Sequence, residues 1–259
     1  MQRAFATVLC AVIVLMSSAP TAAVAANAGA RQTPTWAEVA KWPDFTRGVW
    51  AKIDNSSPGA AAIAGGGAPN PASGAAQAAR TQIMSLLTPA AKAQYEALRR
   101  GPRKPNFGCD PFGFPAAFDG DWQFLYARDV ILVLSLQDYI TVVRRIYMDG
   151  RAHGEPEPTW MGHSVGRWEG DTLVVDTVGL SEEAQIMQGL HGTLASHAVE
   201  RFRLAAPESL SWQLSYENPE LLTKPYTASR TLKLQRGREI PEAYCTNDLD
   251  VEGLNVTPP

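Results

Sequence analysis

The stretch FLYARDVILVLSLQDYITVVRRIYMDG, Phe124–Gly150, decides the fold class. It is rich in β-branched and aromatic residues, with polar breaks at Arg128-Asp129 and Gln137-Asp138. Such residues suit a pleated, half-buried surface, so the stretch reads as successive antiparallel strands. The same pattern continues downstream. HSVGRW and TLVVDTVG form a hairpin around Glu169-Gly170-Asp171, with Gly170 supplying the positive φ of a tight turn. After Ser181–Ser196, read as a loop with a helical turn, ERFRLA, SLSWQLSYE, ASRTLKLQR and REIPEAYC give four more strand candidates. Apolar and polar positions alternate in them, as in a sheet with one face on a core and one in water.

Upstream, Thr35–Trp50 begins helically and ends in a strand entry at Gly48-Val49-Trp50. Residues 81–100 carry a helix, with Pro89 at its first position behind a Thr88 cap. Residues 60–76 are Ala, Gly and Pro without charge and read as a flexible loop within 59–80. The segment 101–120, dense in Pro, Gly and Phe, reads as a long irregular loop. A run of antiparallel strands this long tends to close on itself, because open edges invite aggregation. The expected fold is mainly β: an antiparallel, lipocalin-like (calycin-type) β-barrel over 46–259 with a short N-terminal helical region. The Gly48-x-Trp50 entry resembles that of lipocalin-like barrels. A closed barrel of about eight strands can hold one small ligand inside.

Residues 1–25 read as a signal peptide. Arg3 precedes the uncharged run Ala4–Met16. That run makes about 20 Å of helix, too short for a hydrocarbon core of about 30 Å, so no membrane span is expected. Ala23-Val24-Ala25 supplies the small residues of a cleavage site, which places the mature chain, with a tail over 26–45, in the periplasm or outside the cell. Two cysteines remain, Cys109 and Cys245. In an exported chain that pair suggests one disulfide, the alternative being two buried thiols. The net charge is −3 with no basic block, so nucleic acid is not an expected partner.

RRIYMDGR at Arg144–Arg151, followed by MGHSVGRWEGDTLVVDTVG at Met161–Gly179, resembles a family of exported, mostly uncharacterised bacterial proteins built around GHSxGxWEGDTLVVDT. Supporting matches are Leu87–Pro89, Cys109, His191, Glu200-Arg201, Lys224–Thr227 and Tyr244-Cys245, so the likeness covers about Thr46–Asn247. The 60–76 stretch, Cys109–Pro115 and Asn247 depart from the family pattern. The resemblance implies export and a β-rich fold and says little about chemistry.

All four histidines, His153, His163, His191 and His197, fall in one window of the chain. Imidazole is the side chain best suited to proton transfer near neutral pH. Three readings compete: an acid/base site, a divalent-metal site, and structurally satisfied rings. The spacings lack a helical HxxxH or an HxH pair, so no cofactor is expected. A two-residue Glu169-Gly170 loop sets His163 opposite Asp176, whereas a three-residue loop puts them on opposite faces. Arg144 and Arg145 are adjacent in a strand, so one heads inward, either to a core carboxylate such as Glu200 or Asp149 or to a ligand. Tyr147 shares a face with Arg145. Gly162-x-Ser164-x-Gly166 fits the string of a nucleophile elbow, but a strand follows it where the elbow requires a helix.

The expectation is therefore a cofactor-independent acid/base lyase or isomerase acting on a small apolar or aromatic molecule in a barrel cavity. His163, His191, His197, Asp176, Arg145 and Tyr147 would be its catalytic groups. Trp122, Phe124, Trp168 and Trp212 would bind the substrate. The alternative is a periplasmic carrier that leaves a small hydrophobic ligand unchanged.

Overall fold

The computed structural model describes residues 32–52, 81–100, 113–118, 120–137, 140–187 and 190–243. The expected signal peptide, the 60–76 stretch and the Cys109–Cys245 disulfide lie outside the described residues. The elements are α1 (Trp36–Val39), β1 (Val49–Lys52), α2 (Pro89–Arg100), a 3₁₀ turn (Ala116–Phe118), β2 (Trp122–Tyr126), β3 (Val130–Gln137), β4 (Ile140–Tyr147), β5 (His163–Glu169), β6 (Thr172–Val178), β7 (Gln185–Met187), β8 (Leu190–His191), β9 (His197–Ala206), β10 (Ser209–Glu217) and β11 (Tyr226–Gln235). Nine of these strands close into a barrel in the order β1-β11-β10-β9-β6-β5-β4-β3-β2. The protein is thus mainly β, with the lipocalin-like barrel expected from the strand pattern.

Local chemistry explains where the elements begin. Thr35 caps α1 through a capping box with Glu38. The Thr88 hydroxyl accepts from the Ala91 N–H, so Pro89 opens α2 where its missing donor costs nothing. β1 closes the barrel, with Trp50 opposite both Leu234 of β11 and Trp122 of β2. Gly48 precedes it at φ 151°, and a Cβ there would sit 2.5 Å from the Gln235 carbonyl oxygen. Only glycine fits that approach.

Three details differ from the sequence reading. β4 and β5 pair in parallel, with Ile146 opposite Ser164, whereas all barrel strands were expected antiparallel. A parallel pair needs a long crossover, and residues 148–162 supply it. The 181–196 segment holds the β7–β8 hairpin in addition to turns. Arg238–Ala243 forms no strand. Pro241 lacks the N–H a ladder needs, and the segment instead crosses the barrel, with the Ile240 N–H on Gln123 Oε1 and the Thr141 N–H on the Ala243 carbonyl.

The barrel is filled. Trp50, Trp122, Trp212, Phe124 and Phe202 are all buried in one core. Trp122 meets Trp212 edge-on at 5.4 Å and Phe124 meets Phe202 edge-on at 5.7 Å, the arrangement that ring quadrupoles prefer. Within this apolar centre lies a polar knot. The Arg144 guanidinium, 1% exposed, pairs with Glu200, also 1% exposed. It also donates to Ser164 Oγ at 3.0 Å and Thr177 Oγ1 at 2.7 Å. Trp212 Nε1 donates to the other Glu200 oxygen at 2.9 Å, and the Phe114 ring packs 4.0 Å from the guanidinium carbon. The knot therefore joins β4, β5, β6, β9 and β10.

Removing one member leaves a buried charge without its partner. Glu200→Ala is expected to cost about 3–5 kcal/mol in urea unfolding, and the double change Arg144→Met with Glu200→Leu clearly less. A double variant as unstable as the single one would contradict this account.

Candidate functional site

Strand alternation sends neighbouring residues to opposite faces of the wall. Arg144, Ser164, Thr177 and Ala198 point inward and are buried. Arg145, His163, Asp176 and His197 therefore point outward. The connection between β5 and β6 is a two-residue turn, but its centre is Gly170-Asp171 rather than Glu169-Gly170. Gly170 takes φ 61°, which suits the first central position of a II′ hairpin turn. His163 then lies opposite Val178, and Val165 opposite Asp176. The direct His163–Asp176 dyad is not formed. The shift is an even one, so both side chains still share the outer face, set diagonally.

His153, from the 148–162 crossover, fills the gap between them. Its Nε2 lies 3.0 Å from Asp176 Oδ1 and its Nδ1 lies 2.9 Å from His163 Nδ1. His197 Nε2 reaches the same Asp176 oxygen at 3.1 Å. A carboxylate can only accept, so both Nε2 atoms carry hydrogen. The neutral His153 ring then has a lone pair at Nδ1, and His163 must donate to it from its own Nδ1. His163 Nε2 is left as a basic lone pair. The arrangement is a hydrogen-bonded chain from Asp176 through His153 to His163, with His197 as a second arm.

The surroundings hold the chain in place. The Tyr147 ring stacks on His163 at 5.1 Å. The Arg151 guanidinium carbon lies 3.7 Å from the Tyr147 ring centre and binds Asp149 in a fork at 2.7–3.1 Å. This contact holds the Asp149 carboxyl below its usual range, chiefly through the hydrogen bonds from Arg151. His163 is pushed below the ordinary 6.5, first by burial and then by the electrostatic influence of its neighbours His153 and Arg151, against an opposing pull from Asp149. Arg145 is exposed, and because Ile146 is opposite Ser164 in the parallel register it lies level with His163.

Several expected site residues lie elsewhere. His191, on β8, contacts the Glu183 carbonyl at 3.1 Å and does not join the cluster. Trp122, Phe124 and Trp212 are core residues, no more than 2% exposed, so they do not line a ligand cavity. Trp168 points inward against Trp42 and Phe45, its Nε1 without a hydrogen-bond partner among the described residues. Ser164 is buried in the Arg144 knot, so it is not an exposed nucleophile. The expected placement of the imidazoles inside a hollow barrel is corrected: the interior is occupied and the cluster sits on the outer wall.

The sequence pattern groups His153 with the other histidines but assigns it no role, and it does not set Arg151 and Asp149 beside it. The signal lies in the sequence: Asp149, Arg151 and His153 alternate within 149–153, between the β4 stretch and the hairpin motif. Among the described residues no group of three or more His, Cys, Asp or Glu side chains is arranged to hold a metal ion. No helix among them is long and apolar enough to cross a membrane. Comparison with family models and with curated proteins finds no match for this chain.

Two measurements check this geometry. Long-range ¹H–¹⁵N spectra at neutral pH are expected to show His163 protonated at Nδ1 and His153 and His197 at Nε2. Asp176→Asn should disturb the His153 and His197 tautomers together. The second concerns stability. The folded His163 takes up a proton less readily than the unfolded chain, so the unfolded state gains protons first as pH falls. Stability should drop as pH descends through 6.5 and level off below the folded value. His163→Asn should flatten that part of a urea-midpoint profile, and an unchanged slope would remove the assigned burial effect.

Proposed function

We propose that this chain is an exported acid/base enzyme, a lyase or isomerase that needs no cofactor and works on the outer wall of its barrel. The observation that carries the reading is the hydrogen-bonded chain from Asp176 to His163. In the proposed step His163 Nε2 takes a proton from an acidic C–H of the substrate. The His163 Nδ1 proton moves to His153 Nδ1. His163 ends neutral, and His153 becomes an imidazolium held against the Asp176 carboxylate. Reversal returns the proton at the same or a neighbouring atom. His197, bonded to the same carboxylate oxygen, is the second acid/base group. Arg145, exposed and level with His163, would stabilise the developing oxyanion, with Tyr147 holding the His163 ring.

Export, a periplasmic or secreted location and membership of the GHSxGxWEGDTLVVDT family belong to the same proposal and rest on the sequence. A carrier with its ligand inside the barrel has less support, because Trp122, Phe124 and Trp212 fill that space. The aromatic preference loses its basis for the same reason.

The test is proton exchange. Carbon acids with a C–H beside a carbonyl or carboxyl group are incubated with the protein in heavy water and followed by mass spectrometry. The wild type is expected to incorporate deuterium, and His163→Ala to slow this by about 10²–10⁴-fold. His153→Asn should lose part of the same factor. Exchange at the full rate in His163→Ala would sink the proposal.

A further inference from the structure

We infer that the outer wall beside the His–Asp cluster is a saccharide-binding groove, which would supply substrate to the acid/base site and to that extent rests on the reading above. A depression of about 400 Å³ lies on the outer faces of β9, β10 and β11. Its outward side chains are Val199, Arg201, Gln213, Ser215, Thr227 and Ser229. They form two neighbouring rows. In one, Asp176 is opposite Val199, Val199 opposite Ser215, and Ser215 opposite Thr227. In the other, Arg201 is opposite Gln213 and Gln213 opposite Ser229. Strands lie about 4.8 Å apart, so the first row runs about 15 Å outward from Asp176. Asp176, opposite Val199, and His197, two residues before Val199 on β9, are the cluster members that adjoin the groove. At the far side Gln82 Nε2 donates to the Thr227 carbonyl, so the 81–86 segment borders it.

The lining selects the ligand class. Three hydroxyls and an amide both donate and accept hydrogen bonds, as sugar hydroxyls do. Val199 is the outward apolar side chain and Leu214 and Ala228 complete the lining, apolar surface that suits the C–H face of a sugar ring. β9, β10 and β11 are each paired on both sides within the closed barrel, so no edge is open for an added peptide strand. No carboxylate lines the groove. Arg201 uses Nη1 on Glu169 at 2.9 Å and keeps a half-exposed guanidinium that could donate to the acceptor oxygens of a ligand. Neutral and acidic sugars share this hydroxyl chemistry, and Arg201 would strengthen the acidic kind.

The experiment titrates the full-length protein with xylotriose and with trigalacturonate, read by backbone amide shifts. Binding with Kd of about 1 mM is expected, with shifts centred on 199–201, 213–215 and 227–229. Ser215→Tyr should abolish the shifts while keeping the wild-type melting temperature. If it fails to fold, Gln213→Ala replaces it and should weaken binding about threefold. Arg201→Ala should weaken trigalacturonate about tenfold and xylotriose less. Absence of shifts with both sugars at about 20 mM would overturn the inference, as would binding undiminished in the groove variants. Sugar binding without proton exchange in the wild type would keep the groove and remove the acid/base reading.

Discussion

The buried Arg144–Glu200 pair is the constraint on which the remaining architecture depends. An unpaired guanidinium in this core would be untenable, so the fork must find its partners on β5, β6 and β9 at once. That requirement fixes which residues of those strands face inward. Strands alternate strictly, so it fixes the outer face as well. Ser164 inside means His163 outside, and Thr177 inside means Asp176 outside. The inner ion pair and the outer hydrogen-bonded His–Asp chain are two readings of one register.

Much of the barrel is legible in the sequence. Val130–Gln137 and Ile140–Tyr147 announce themselves by composition, and Gly170 marks the hairpin. Residue parity also shows that one arginine of the Arg144-Arg145 pair turns inward. It does not show which one, because the answer depends on partners more than fifty residues away at Glu200. The parallel β4–β5 pairing is likewise invisible locally, since strand direction leaves no trace in a period-two pattern. The turn centre at Gly170-Asp171 escapes because Glu-Gly and Gly-Asp are both acceptable turn pairs until the ladder chooses.

The site was half legible. The clustering of histidines in the chain points to a shared place, and three of the four meet around Asp176. His153 escapes because it lies in the Gly- and Pro-containing 148–162 segment, where no periodicity assigns a face. The tryptophans mislead for the opposite reason. Large rings serve equally well as pocket walls and as filling, and burial alone separates the two uses. Here the aromatic residues occupy the volume that a hollow barrel would have offered to a ligand. The core and the His–Asp cluster are thereby segregated on opposite sides of one layer of backbone.

The 148–162 crossover does more than return the chain for a parallel strand. It acts as a ruler whose length sets whether one ring bridges two others. Shortening or lengthening it would spare the cylinder, whose walls are tied from within. It would also carry His153 out of reach of both neighbours. A homologous chain that kept the GHSxGxWEGDT hairpin but changed this spacing would inherit the shape without the hydrogen-bonded bridge between His163 and Asp176.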